Sequence, residues 1–95
     1  MTDSQTFGNV FDALADTPEQ SANLTARAEL MQEIAKLIKS KAWTQEEAAK
    51  HCGVTQPRVS DLLRGRVSKF SLDALVNISS ALGCRVHVHM ELECA

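Results

Sequence analysis

The chain has 95 residues, of which 44% are hydrophobic and 23% charged, with a formal net charge of −2. This is the composition of one small globular domain; it excludes a low-complexity chain, and no apolar run approaches the ~20 residues of a membrane helix. A chain of this size buries only about 60–65% of its unfolded surface, so a dimer partner would add useful core.

Charge divides the chain unevenly. Residues 1–23 carry Asp3, Asp12, Asp16 and Glu19 with no Lys or Arg, whereas residues 51–70 carry Arg58, Arg64, Arg66 and Lys69 against Asp61 alone. A polyanion responds to such a local cationic field more than to the total charge. The start, Met1-Thr2-Asp3-Ser4, lacks the basic and apolar regions of a signal peptide, so a cytoplasmic location is expected. Cys52, Cys84 and Cys94 are odd in number and form no CxxC pair, which fits reduced thiols, with Cys52 packed inside.

In chain order, the first eight residues are polar and read as a mobile lead. Val10, Phe11 and Leu14 suit a single apolar turn. Thr17-Pro18-Glu19-Gln20 is a helix start, with Pro at the first helical position and Gln20 placed for a capping box. One long helix to Ser40 and a break near Asn23 both remain open. From Leu24 the pattern is plain: Leu24, Ala28, Met31, Ile34, Ala35 and Ile38 form a helical stripe, and Lys39 and Lys41 suit its C-terminal end.

Trp43 is placed to staple the next element to the core. Thr44 can cap a second helix, and Glu47 completes its capping box. Ala49 faces a helix crossing, where a larger side chain would force the helices apart. Gly53 can end the helix in the left-handed conformation, and Val54 anchors the turn. Thr55 caps a third helix with Pro57 in its first turn. Val59, Leu62 and Leu63 share one face, while Gln56, Pro57, Ser60, Asp61 and Arg64 fall on the opposite one. Two short helices joined by a tight turn place the second where its outer face can enter the major groove of DNA.

A loop, Gly65 to Lys69, follows. Ser71 caps a further helix, Phe70 staples onto Leu75, and Leu72, Leu75, Ile78 and Leu82 face the core until Gly83. The period then changes. Val86, Val88, Met90 and Leu92 alternate with Arg85, His87, His89 and Glu91, the signature of a half-buried strand. A lone strand needs a partner. A copy of itself across a two-fold axis supplies one, and would space two reader helices about 34 Å apart. Pairing with an N-terminal segment of the same chain is the alternative.

Gln45, Ala49, Gly53, Val54, Val59 and Leu62 in register, followed by Leu63-Arg64-Gly65, resemble the helix-turn-helix of the lambda-repressor-like (Xre) regulators. The wider run from Trp43 to Leu82, with Arg64-Gly65-Arg66 and Phe70-Ser71-Leu72, resembles the small regulators and HigA-type antitoxins of toxin–antitoxin operons. Asn9-Val10-Phe11-Asp12-Ala13-Leu14 is similar to the start of that subgroup. The resemblance implies that Gln45 touches a phosphate and that Gln56, Pro57 and Asp61 face base edges. Pro57 and Asp61 depart from the commoner choices. Asp61 either accepts from a cytosine amino group or orients Arg58 or Arg64.

The expected fold is all-α: a lambda-repressor-like bundle of about five helices with one C-terminal β-strand that pairs across a dimer. Residues 1–23 are an acidic, partly mobile segment, 24–83 the helix-turn-helix domain, and 84–95 the dimerisation strand and tail. The expected function is a sequence-specific transcriptional repressor, nucleoid-associated, bound to a palindromic operator in double-stranded DNA. The resemblance makes it the antitoxin of a type II pair autoregulating its own operon; a stand-alone Xre-type regulator without a toxin is the alternative. Gln45, Arg64, Arg66 and Lys69 would grip phosphates. Thr55 would cap and touch the backbone, and Gln56, Pro57, Arg58, Ser60 and Asp61 would read bases or support the readers. Val86, Val88, Met90 and Leu92 would form the dimer interface.

Val10, Phe11 and Leu14 on the acidic segment would anchor a small basic RelE/HigB-like toxin, or else pack on their own domain. No cofactor is expected. His87 and His89 have a metal-compatible spacing, but no further ligand is placed near them and an exposed polar strand face explains both. No enzyme is expected either: His51 and Cys52 are adjacent on a helix and point apart, and no third group orients them.

Overall fold

Thr17 adopts an extended backbone, and its hydroxyl accepts the Gln20 N–H at 3.0 Å. In the computed structural model, which describes residues 17–92, this cap starts one continuous helix, α1 (Pro18–Ser40). No break falls at Asn23; the helix runs through the position where the charge pattern changes. Leu24, Ala28, Met31, Ile34 and Ile38 form its buried stripe. Behind it, Ala42 takes a positive φ of 56°. This turn was not foreseen, because only a non-glycine residue marks it; a small side chain keeps the strain low.

The second and third helices follow as their caps dictate. In α2 (Gln45–Cys52) the Glu47 N–H donates to Thr44 Oγ1 at 3.1 Å, and the Thr44 N–H donates to Glu47 Oε1 at 2.9 Å. Gly53 sits at φ 73°, and the N–H groups of both Gly53 and Val54 donate to the Ala49 carbonyl. A side chain at Gly53 would meet no atom within 4 Å, so the left-handed backbone alone is what calls for glycine there. Thr55 caps α3 (Gln56–Leu63), accepting the Arg58 N–H at 3.4 Å, with Pro57 in the first turn.

A 3₁₀ turn (Val67–Lys69) leads to α4 (Leu72–Ala81), capped by Ser71, whose hydroxyl accepts the Ala74 N–H at 3.0 Å. The helix ends in a Schellman motif: Cys84 N–H bonds Ser79 O, and Gly83 N–H bonds Ser80 O, with Gly83 at φ 84°. Helix α1 packs against α4, α3 and the 3₁₀ turn, and α2 packs on α3 and α4. Phe70, Leu75 and Val59 are the largest fully buried side chains, so the core lies directly beneath α3 and the segment that follows it.

The count of elements is four α-helices and one 3₁₀ turn among the described residues, against an expectation of about five helices. The expected strand does not appear in the single chain. Residues 84–92 carry no regular secondary structure, and a ladder has no partner edge among the described residues. Val86 is half-buried, while Val88, Met90 and Leu92 are 83%, 94% and 96% exposed. The apolar turn expected at Val10, Phe11 and Leu14 lies outside the described residues, as does Cys94.

Candidate nucleic-acid interface

Helix α3 is amphipathic in the sense the sequence requires. Val59 and Leu62 are buried, and Leu63 packs partly against the same core. Thr55, Gln56, Pro57 and Arg64 are exposed, and Ser60 and Asp61 are half-buried. The first turn of α3 therefore presents a carboxamide on a fixed, capped backbone, next to a threonine whose hydroxyl is engaged by its own helix. Gln45 is exposed at the first position of α2, whose first turn also carries Glu46 and Glu47, so the carboxamide of Gln45 and not the helix end is what it offers.

The basic residues divide into two kinds. Arg64, Arg66 and Lys69 are exposed. Arg58 is half-buried and already committed: its Nη1 donates to the Lys69 carbonyl at 2.7 Å, and its guanidinium carbon lies 4.1 Å from the centre of the Phe70 ring. Arg58 thus braces the loop after α3. Asp61 also has a partner other than the two expected. Its Oδ1 accepts from Arg66 Nη1 at 3.3 Å, and its carbonyl accepts the Arg66 backbone N–H at 3.0 Å. Arg66 prevails over Arg58 and Arg64 because the chain turns back at Gly65, φ 73°, and brings residue 66 to the side of α3. The pair is partly solvent-exposed and contributes ~0–1 kcal/mol, so a phosphate can compete with Asp61 for Arg66 at modest cost.

Arg27 was missed in the sequence reading. From α1 its Nη1 donates to two carbonyls of the same loop, Val67 O at 3.3 Å and Phe70 O at 2.9 Å. The available signal was a charged residue set beside Leu24 and Ala28 on the buried stripe. Trp43 was expected in the core and is partly buried against it; the structure adds that its ring stacks on His51, with centroids 3.9 Å apart and planes 6° from parallel.

Cys52 is buried as expected, and burial pushes its thiol pKa above the ordinary value. It packs in the core, and its thiolate is disfavoured there. His87 and His89 are exposed, and among the described residues no three His, Cys, Asp or Glu side chains gather to hold a metal. No helix among the described residues is long and apolar enough to cross a membrane.

The arrangement can therefore do one thing well: present a carboxamide, hydroxyl and carboxylate surface flanked by cations to a polyanion. A family model described as "Helix-turn-helix domain" matches residues 13–91. Comparison with curated proteins gives no match.

Proposed function

Because this chain belongs to the helix-turn-helix domain family and is thereby a DNA-binding regulator, we propose that it is a sequence-specific repressor that reads a palindromic operator as a homodimer. The observation that carries this reading is the two-sidedness of α3: Val59 and Leu62 are sealed into the core while Gln56, Pro57 and Arg64 face solvent on a capped helix. In the major groove, Gln56 makes paired hydrogen bonds to a base edge, with Ser60 and Asp61 beside it. Gln45, Arg64, Arg66 and Lys69 hold phosphates on either side, and Thr55 touches the backbone near its cap.

The dimer forms through residues 84–92. Their alternating pattern, with Val88, Met90 and Leu92 exposed in the single chain, supports pairing with a second copy, which removes these side chains from water. A two-fold axis then repeats α3 on successive major grooves.

We further propose that the chain is the antitoxin of a type II pair and represses its own operon. The resemblance carried by Trp43 to Leu82 and by Asn9 to Leu14 supports this, and Val10, Phe11 and Leu14 are the proposed anchors for a basic RelE/HigB-like toxin. Co-expression with the product of the adjacent reading frame tests it. A stable complex that still binds the shared promoter supports the antitoxin role. A chain that binds its promoter but captures no neighbouring product is a stand-alone regulator.

A further inference from the structure

The loop between α3 and α4 carries two of the proposed phosphate contacts, Arg66 and Lys69; its N–H groups bond locally, Arg66 to Asp61 O at 3.0 Å and Val67 to Gly65 O at 2.8 Å, whereas three of its carbonyls are held by side chains from outside the loop. Lys69 N–H bonds Arg66 O at 3.0 Å and Phe70 N–H bonds Val67 O at 3.2 Å, in a single 3₁₀ turn. Two arginines from outside complete it. Arg58, from α3, holds the Lys69 carbonyl. Arg27, from α1 and 43 residues before Phe70, holds the carbonyls of both Val67 and Phe70 with one nitrogen.

The two bonds from Arg27 to the loop come at a cost. The Nε of Arg27 is buried and has no hydrogen-bond partner. An unpaired buried donor is a cost that a methionine of similar length would avoid while filling the same space. What methionine cannot do is hold two loop carbonyls at a fixed distance from α1. We infer that Arg27 is a positioning residue of the nucleic-acid interface: it fixes the Val67–Phe70 segment to α1 so that Arg66 and Lys69 are already in place when a duplex arrives. This inference rests on the DNA-binding reading above. Its physical content is preorganisation, since a loop ordered before binding need not lose its freedom on binding.

The test compares the full-length wild type with Arg27→Met and Arg27→Lys. Each is titrated with its own promoter fragment and with random-sequence duplex over a series of salt concentrations. Amide hydrogen exchange is followed at Lys69 and Phe70, with the amides of α2 as control. The expected result for Arg27→Met is affinity reduced about five- to tenfold on both duplexes, the scale of ordering one or two long side chains, with faster exchange at Lys69 and Phe70 and unchanged exchange in α2. Arg27→Lys, whose ammonium can reach a carbonyl, recovers part of both. Wild-type affinity in a folded Arg27→Met protein overturns the inference, and so does unchanged loop exchange. If Arg27→Met does not fold, Arg27→Lys decides: loosened loop amides with undiminished affinity overturn it. A wild-type chain without salt-sensitive DNA affinity instead overturns the DNA-binding reading itself.

Discussion

The guanidinium carbon of Arg58 lies 4.1 Å from the centre of the Phe70 ring, and the same side chain bonds the Lys69 carbonyl. One side chain of the proposed recognition helix is thereby spent on holding the loop that follows. Phe70 is among the most buried residues of the molecule, so the ring that receives Arg58 is itself anchored. The proposed reading surface and the core are coupled through this contact.

Replacing Arg58 with Met should consequently lower stability by ~1–2 kcal/mol, from the cation–π contact and a charged hydrogen bond at a half-buried position. It should weaken DNA binding by a similar factor on every sequence tested. Urea unfolding and competition binding against single base-pair operator variants measure the two effects. A loss confined to one base pair would instead make Arg58 a direct reader.

Asp61 sits between a base-reading role and the Arg66 pair. Its negative charge faces away from any benefit with phosphate. Asp61→Asn should therefore raise affinity for random DNA and steepen the salt dependence, because Arg66 is then fully available to phosphate. If Asp61 also accepts from a cytosine amino group, preference at that base pair should fall in the same variant. Unchanged non-specific affinity would show that the Arg66 pair does not compete with DNA.

Cys52 provides a test of the core. Burial raises its pKa, so the unfolded chain gives up the thiol proton at lower pH than the folded one. The corresponding stability is fully present below the ordinary thiol pKa of ~8.5 and is lost as pH rises through it towards the folded value. Between pH 7 and pH 9.5 the wild type should lose more stability than Cys52→Ala. A thiol reagent should modify exposed Cys84 quickly and Cys52 only on unfolding. Equal pH dependence in the two proteins would show that burial does not raise the Cys52 pKa.

The C-terminal segment makes a prediction about assembly. Val88 is 83% exposed in the single chain, so Val88→Asp should leave the fold of the helical domain intact. In the proposed dimer it introduces an unpaired charge at the interface, which should shift the population to monomers and weaken operator binding. Sedimentation equilibrium measures the mass. A Val88→Asp chain as dimeric as the wild type would remove residues 84–92 from the interface.

What the sequence revealed follows the range of the interactions. Thr44 with Glu47, Thr55 with Pro57, Ser71, and the left-handed Gly53 and Gly83 were all legible, because a cap is written within three or four residues. The Leu24 to Ile38 stripe was legible for the same reason. The continuity of α1 through Ser21 to Asn23 was not, since Ser21 and Asn23 are weak helix formers and Ala22 between them is a strong one, so propensity points both ways. The contacts that brace the loop were invisible: Arg58 to Phe70 spans a turn, and Arg27 to Phe70 spans 43 residues. The partner of Asp61 depended on how the chain turns at Gly65, which the residue types alone do not specify. The strand was read from alternation, but alternation states which side chains want a partner and not where the partner is.

The most direct test of the central claim sets Gln56→Ala beside Arg66→Ala. Each is titrated with the operator, with its single base-pair variants and with random duplex, at several salt concentrations. The account predicts that Gln56→Ala loses ~1–3 kcal/mol of discrimination at one base pair and keeps the salt slope. It predicts that Arg66→Ala weakens binding to every duplex and lowers that slope by about 1. Equal losses on operator and random DNA for both variants would contradict it, for then α3 would present no reading surface distinct from its cationic surround.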